Sequence, residues 1–258
     1  MSVVTGTTPP GAPGERQAAE WVRQMFCDIA PRYDLLNHLL SFNVDRAWRK
    51  ALLERVAAVL QQANARVLDL CCGTGDVLLD LQAVAANAVL VLGADFCHPM
   101  LVTAADKMRA RKFATTLFEA DALALPLATN SLDAITIAFG FRNLANYRAG
   151  LAEFQRVLKP GGVLAVLEFS HPPGFWLRHA YGFYSKVVLP SIGALVSGSR
   201  AAYTYLPESV AKFPRAEELR VLFEESGLVN ARFELLTGGI AALHSGEKPV
   251  GAIGSSSD

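Results

Sequence analysis

Apolar positions run along this chain in three successive rhythms. From Gln17 to Ala63 they recur at helical spacing: Trp21, Met25 and Ile29 fall on one face, Pro31 interrupts, and a second run extends from Trp48 through Leu60. That period predicts amphipathic helices. Beyond Ala63 the rhythm shortens. RVLDL, AVLVLGAD, TTLFEA, LDAITIAF and GVLAVLEF are short apolar runs, and helical stretches such as MLVTAADKMRAR and YRAGLAEFQRVL lie between them. Apolar strands alternating with helices imply right-handed crossovers and a parallel sheet covered on both faces. After Phe169 a third pattern begins, a segment over 172–200 that mixes aromatic, aliphatic and proline residues and reads as an insertion. PRAEELRVLFEESG then predicts a helix ended by Gly227, and NARFELLTGGIAALHSGEK predicts two strands about Gly238 and Gly239, a hairpin added to the sheet.

The fold class expected is therefore α/β, a doubly wound, mostly parallel, seven-stranded sheet of the Rossmann-like kind. One domain spans 17–249, with a helical cover at 17–63 and the apolar insertion at 172–200. Residues 1–16 and 250–258, rich in Gly, Pro, Ser and Thr without a period, are expected to be mobile tails. A chain of 258 residues that is 52% apolar can build a substantial core. Its 24 basic and 24 acidic side chains cancel, which removes the footprint of a protein that tracks a phosphate backbone, so nucleic acid is not expected as substrate. MSVVTGTTPPGAPGER has no basic region followed by an apolar core, and no apolar run is long enough to span a bilayer, so the cytoplasm is the expected compartment. Cys27, Cys71, Cys72 and Cys97 lack metal-site or disulfide-framework spacing and are read as buried thiols.

The chemistry concentrates where strands end. Between Val67 and Leu81 the chain reads VLDLCCGTGDVLLDL, a strand that stops at a glycine-rich turn and hands over to a helix. Such turns bring bare backbone amides up to a polar ligand. A dinucleotide fingerprint needs a third glycine where this chain has Leu78, which disfavours a nicotinamide cofactor. Instead Asp69 lies inside the strand end, Gly73, Thr74 and Gly75 form the turn, and Asp95 closes the next strand. An aspartate at that second position can take both ribose hydroxyls, while the glycines admit an amino-acid tail. Asp121, in EADALALP, can accept from an adenine amino group beside the backbone of Ala122. The set suits S-adenosylmethionine. The structural alternatives are an ordinary tight turn at the glycines, a helix cap at Asp121 and plain packing for Cys71 and Cys72.

VLDLCCGTGD, DALALP, FGFRN after the fourth strand, LKPGG before the fifth and LEFS together resemble the class I methyltransferases that C-methylate the quinone ring in menaquinone and ubiquinone biosynthesis. FCDIAPRYDLLNHLLSFNVDRAWRK, YLPESVAKFP and LTGGIAALHSG carry the likeness from about Met25 to Lys248. Cys72 beside Cys71 and the weakly acidic ATNSLD depart from it. The resemblance implies S-adenosylmethionine as methyl donor, S-adenosylhomocysteine as product, no metal, and a reduced quinol as acceptor, because an electrophilic quinone does not attack a sulfonium.

It also implies roles. Gly140 joins the cofactor residues. Arg142 and Asn143 are expected at the mouth, Arg142 holding the quinolate oxygen and Asn143 orienting it, with an ion pair between Arg142 and an acid such as Asp34 as the structural alternative. His171 is the histidine best placed in sequence to be a general base; His38, His98, His179 and His244 receive no role. Tyr33 and Asn37 are expected to cover the site and touch substrate. Phe175 and Trp176, in the insertion, suit a polyprenyl tail, and the same surface would equally serve as a homodimer interface. A membrane-borne prenylated quinol implies peripheral contact at the inner face of the bilayer. The competing functions are a nicotinamide-dependent oxidoreductase, which lacks its Tyr-xxx-Lys pair here, a methyltransferase for another small apolar acceptor, and a binding module without catalysis. An RNA or DNA methyltransferase would show Asn/Asp-Pro-Pro-aromatic where this chain has AFGFRN. Naphthoquinol and benzoquinol remain open as the ring.

Overall fold

Four largely aliphatic runs and a short edge strand build the parallel part of the sheet in a computed structural model that describes residues 6–12, 14–30, 44–174 and 200–251. They are β1 (Arg66–Leu70), β2 (Leu90–Asp95), β3 (Thr116–Glu119), β4 (Leu132–Ala138) and β5 (Leu158–Phe169). The hairpin β6 (Val229–Leu236) and β7 (Ala241–Glu247) completes seven strands in the order β3-β2-β1-β4-β5-β7-β6, with β7 antiparallel to β5. β1 lies between β2 and β4, so the chain's winding direction reverses there, and the crevice beyond the carboxyl ends of these strands is where ligands bind in such sheets. β6 carries a bulge between Val229 and Arg232, and β3 is only four residues long.

Alternation along each strand sorts side chains to two cores. Val67, Ala134 and Ala165 face α2 (Asp45–Leu60) and α3 (Asp76–Val84), where Leu52, Val56, Leu78 and Leu81 are buried. Leu68, Ile135 and Leu164 face α5 (Tyr147–Val157) and α7 (Ala216–Glu225), whose Phe154 and Phe223 are fully buried. α4 (His98–Ala110) follows β2, while α1 (Glu15–Ile29) and α6 (Arg200–Lys212) pack together through Val22, Met25 and Tyr205. An ion network fastens α2, α3 and α4 beneath the glycine turn. Arg49 pairs with Asp45 and with Asp80 (2.9 Å), and Lys107 reaches Asp76 at 2.7 Å.

The expected fold class, its helical N-terminal region and the appended hairpin all correspond to this architecture. Two expectations change. Residues 6–12 fall in the expected tail, yet Thr7 is buried, and its N–H donates to the Leu144 carbonyl at 2.8 Å. Cys27 and Cys97, expected as separate thiols, are joined as a disulfide between α1 and the start of α4, with Cα atoms 5.6 Å apart and 70 residues of chain between them. Packing of α1 against α4 brings the two sulfurs together, a proximity invisible in their spacing. Cys71 and Cys72 are free. Tyr33, Asn37, Phe175, Trp176 and nearly all of the 172–200 insertion lie outside the described residues.

Closing a loop of that length is worth about 4 kcal/mol in the chain-entropy account. Denatured without reductant, the chain should offer two titratable thiols, Cys71 and Cys72, and four after reduction. Four thiols before reduction would show that Cys27 and Cys97 are not bridged.

Candidate active site at the carboxyl edge of the sheet

Beyond β1 and β4 the backbone turns sharply in two adjoining places. Cys71 (φ 55°) and Phe139 (φ 57°) both take the left-handed conformation that residues with a Cβ rarely adopt. The turns abut so closely that a Cβ on Gly140 would lie 2.4 Å from the Cβ of Cys71. Only glycine fits there. Gly75 (φ 86°) has the same character, since its Cβ would approach that of Ala104 to 3.0 Å. The glycines of the sequence motif thus let two strand ends and a helix meet at close range.

These turns wall a cavity of about 300 Å³. Its polar rim includes Gly73, Asp95, Asp121, Ala122, Gly140 and Asn143, and its apolar surface includes Phe96, Met100, Leu123 and Phe139. Ala19 and Phe26 of α1 reach it from the cover side. Asp95 is buried and accepts the Gly73 N–H at Oδ2 and the Cys97 N–H at Oδ1, each at 2.9 Å. Asp121 accepts the Leu123 N–H at 2.9 Å, so it shapes its own turn while its carboxylate borders the cavity.

Three expected cofactor residues lie behind the lining. Asp69 is buried, accepts the Thr136 hydroxyl at 2.9 Å through Oδ1, and has no hydrogen-bond partner at Oδ2. Thr74 accepts from Lys107 at 3.2 Å, and Gly75 supports the turn. Burial lifts the Asp69 carboxyl to about 8, with the Asp95 charge adding to it, and lifts Asp95 to about 6 against the pull of its backbone donors. Burial also pushes the Cys71 and Cys72 thiols up, which keeps them protonated and unreactive.

The substrate side differs more from expectation. Arg142 does not border this cavity. Its guanidinium is buried against Glu168, with Nη1 2.8 Å from Oε1, and it also donates to the Phe139 carbonyl. Glu168 is fully buried, and a carboxylate in that position requires a cation beside it, so Arg142 has the ion pair of the structural alternative, here with Glu168; Asp34 lies outside the described residues. His171 is likewise turned away: its Nε2–H donates to the Phe213 carbonyl at 3.0 Å, between α6 and α7. Asn143 does border the cavity, donating Nδ2–H to the Phe139 carbonyl at 3.3 Å and accepting from Tyr205 at 3.0 Å. Phe96, Met100 and Phe139 were not singled out in the sequence. Phe96 and Phe139 each directly follow a strand end, and that adjacency was the available signal.

The donor set fits a cationic, hydroxylated ligand with a flat ring. Asp95 and Asp121 supply acceptors, Asp95 with a negative charge near neutral pH, and the apolar wall suits a base. Arg16, exposed and ion-paired to Glu20, is the one cationic side chain among the described lining residues, which is poor provision for a pyrophosphate. Among the described residues no group of three His, Cys, Asp or Glu side chains is arranged to hold a metal.

Comparison with known proteins finds relatives that span most of the chain. The model of the ubiE/COQ5 methyltransferase family matches residues 14–248. A demethylmenaquinone methyltransferase of Thermus thermophilus is 50% identical over 225 residues, covering 87% of this chain and 100% of that protein. A ubiquinone/menaquinone biosynthesis C-methyltransferase of Syntrophotalea carbinolica is 47% identical, covering 87% of this chain and 92% of its own. Among solved structures, an S-adenosylmethionine-dependent methyltransferase from Aquifex aeolicus shares the fold with a TM-score of 0.53 at 19% identity, over 75% of this chain and 88% of that one.

The raised carboxyls have a pH consequence. From about pH 4 up to about 8 the folded chain holds a proton on Asp69 that the unfolded chain has already released, so unfolding free energy falls as pH rises through that window. His244, lowered to about 4 by burial, acts in the opposite sense, but its effect is complete by about pH 7. The ligand-free protein should therefore melt lower at pH 8.5 than at pH 7. Asp69→Asn, which still accepts from Thr136, should flatten that difference in a thermal melt. An unchanged pH slope in the variant would remove Asp69 as its source.

Proposed function

The chain belongs to the ubiE/COQ5 methyltransferase family, and from that premise we propose that it transfers a methyl group from S-adenosylmethionine to a ring carbon of a polyprenylated quinol, demethylmenaquinol foremost. It is an S-adenosylmethionine-dependent C-methyltransferase by its kinship. The supporting observation is one cavity in which Asp95, Asp121 and Asn143 meet an apolar wall at the strand ends.

When bound, S-adenosylmethionine supplies an electrophilic methyl carbon on a sulfonium. Asp95 would hold its ribose hydroxyls, Asp121 with the Ala122 backbone its adenine edge, and the turn around Gly73 its amino-acid end. Asp69, buried and protonated up to about pH 8, would lie behind that turn as a neutral group. On the acceptor side, a quinol hydroxyl that loses its proton makes the neighbouring ring carbon nucleophilic. The Asn143 amide N–H can steady that oxygen, and Phe96 and Phe139 keep water from the reacting atoms. The ring gains a methyl group and releases the proton it carried on that carbon, so the activation involves proton removal and calls for no metal. Arg142, neutralised by Glu168, acts on this chemistry by holding the Phe139 carbonyl and the turn that carries Asn143.

Among the described residues no helix is long and apolar enough to cross a membrane. A substrate held in the bilayer calls for contact at its surface, and Phe175 and Trp176 for its tail and Tyr33 and Asn37 for its ring, all outside the described residues, are the contacts proposed from the sequence.

Incubation with methyl-labelled cofactor tests the reaction. Label should enter the organic phase with reduced demethylmenaquinol and not with the oxidised quinone. Equal labelling of both, or of neither while the cofactor binds, would overturn the assignment. Asp95→Asn, which removes the charge and one of two anchoring oxygens, should weaken cofactor binding by about 1 to 3 kcal/mol in calorimetric titration. It should also lower the melting temperature, because Asp95 ties two loops as well as facing the cavity.

A further inference from the structure

Asn143 is the polar side chain nearest the end of β4 that borders the cavity, and a carboxamide presents different chemistry from its two ends. Turned one way it offers an acceptor, turned the other way a donor. Its neighbours decide between them. The phenol of Tyr205 donates to Oδ1 at 3.0 Å, and Nδ2–H donates to the Phe139 carbonyl at 3.3 Å. With the amide reversed, its oxygen would oppose the Phe139 carbonyl oxygen and its NH2 would face the Tyr205 hydroxyl.

The proton count extends one residue further. A phenol has a single proton, and Tyr205 spends it on Asn143. The Thr7 hydroxyl, 2.7 Å from the Tyr205 oxygen, must then be the donor to it. Thr7 and Tyr205 are both buried. The tyrosine ring is fixed from another side by Trp21 of α1, with ring centroids 5.2 Å apart. Burial raises the Tyr205 phenol above its ordinary range, so it remains a donor throughout the working pH. Thr7, Tyr205 and Asn143 thus form a directed chain that begins in the N-terminal segment, passes through α6 and ends at the cavity.

We propose that Tyr205 is a positioning residue for methyl transfer, fixing the Asn143 amide so that its remaining N–H, and not its carbonyl, meets the substrate, with Thr7 setting the direction of the chain. The proposal rests on the function proposed above and deepens it. A presented N–H selects an oxygen acceptor, so the group recognised is a ring oxygen of the quinol, most strongly once that oxygen is anionic. A ring lacking an oxygen at this place leaves the N–H unpaired and is rejected, in the way sites built to hydrogen-bond a hydroxyl reject analogues without one.

Four variants of the full chain test it: Tyr205→Phe, Thr7→Val, Thr7→Ser and Asn143→Ala. With a reduced short-chain prenyl naphthoquinol, Tyr205→Phe should lower kcat about tenfold, the loss expected for one such bond, while KM for the quinol stays within about twofold. Calorimetric affinity for S-adenosylmethionine should not change. Thr7→Val should lose a few-fold in kcat, and Thr7→Ser, which keeps the hydroxyl, should restore it. In the Asn143→Ala background Tyr205→Phe should cost nothing further, since its only target is gone. Full activity of Tyr205→Phe, additive losses in the double variant, or a matching fall in cofactor affinity would each overturn the proposal. A second readout is independent of turnover. In nitrogen-15 spectra of the cofactor-bound chain, the two side-chain N–H signals of Asn143 should be distinct, and Tyr205→Phe should shift them. Unshifted signals refute the positioning role. Shifted signals with no quinol methylated by the wild type would uphold the positioning and refute the quinol as substrate.

Discussion

The Asp95 carboxylate accepts one backbone N–H from the turn after β1 and another from Cys97, the residue before α4, and the mouth of the sheet depends on that double grip. Adjacent parallel strands fan apart as the sheet twists, so the loops beyond them have no reason of their own to stay together. A charge between them supplies one. Its cost is a second carboxylate, Asp69, buried nearby with one oxygen lacking a partner. Two such groups in one dry place do not both ionise readily, so Asp69 keeps its proton up to about pH 8 beside the Asp95 charge. Near neutral pH the empty site therefore rests with one charged and one neutral carboxyl, and the proton on Asp69 is lost only as the pH rises.

A similar exchange occurs in the backbone. Cys71 and Phe139 hold left-handed conformations beside each other, at about 1 to 2 kcal/mol apiece by the usual steric penalty. What the strain achieves is the aim of one carbonyl. The Phe139 oxygen receives both the Arg142 guanidinium and the Asn143 amide, so the buried ion pair behind the wall and the polar group within the cavity are fastened to the same atom. Arg142 is thereby linked to the chemistry without bordering the cavity.

Much of this fold is legible in the sequence because strands buried on both faces carry unbroken aliphatic runs, and RVLDL or LDAITIAF need no partner to be recognised. Asp95, Asp121, Ala122 and Gly140 were legible for a related reason. Each lies at the carboxyl end of a strand or within three residues of it, and the topology gathers all such positions at one edge. What escaped was long-range. Nothing in LEFS reveals that Glu168 turns toward FGFRN; that follows from the register in which Ala138 pairs with Leu167. His171 follows a strand too, yet its side chain satisfies a carbonyl at Phe213, on the other side of that edge. Composition misjudged the N-terminus in the same way, since GTTPPG lacks a period, whereas Thr7 finds a carbonyl and a phenol more than a hundred residues away in sequence.

The two outer strands of the sheet share a property. β3 has four residues, with Thr116 and Glu119 exposed at its ends, and β6 is bulged near its start and carries exposed Arg232 and Glu234. Unpaired strand edges are templates on which another chain can polymerise, and shortness, bulges and charge are the features that spoil the template. The sheet thus ends at both sides in strands poorly suited to fibre growth.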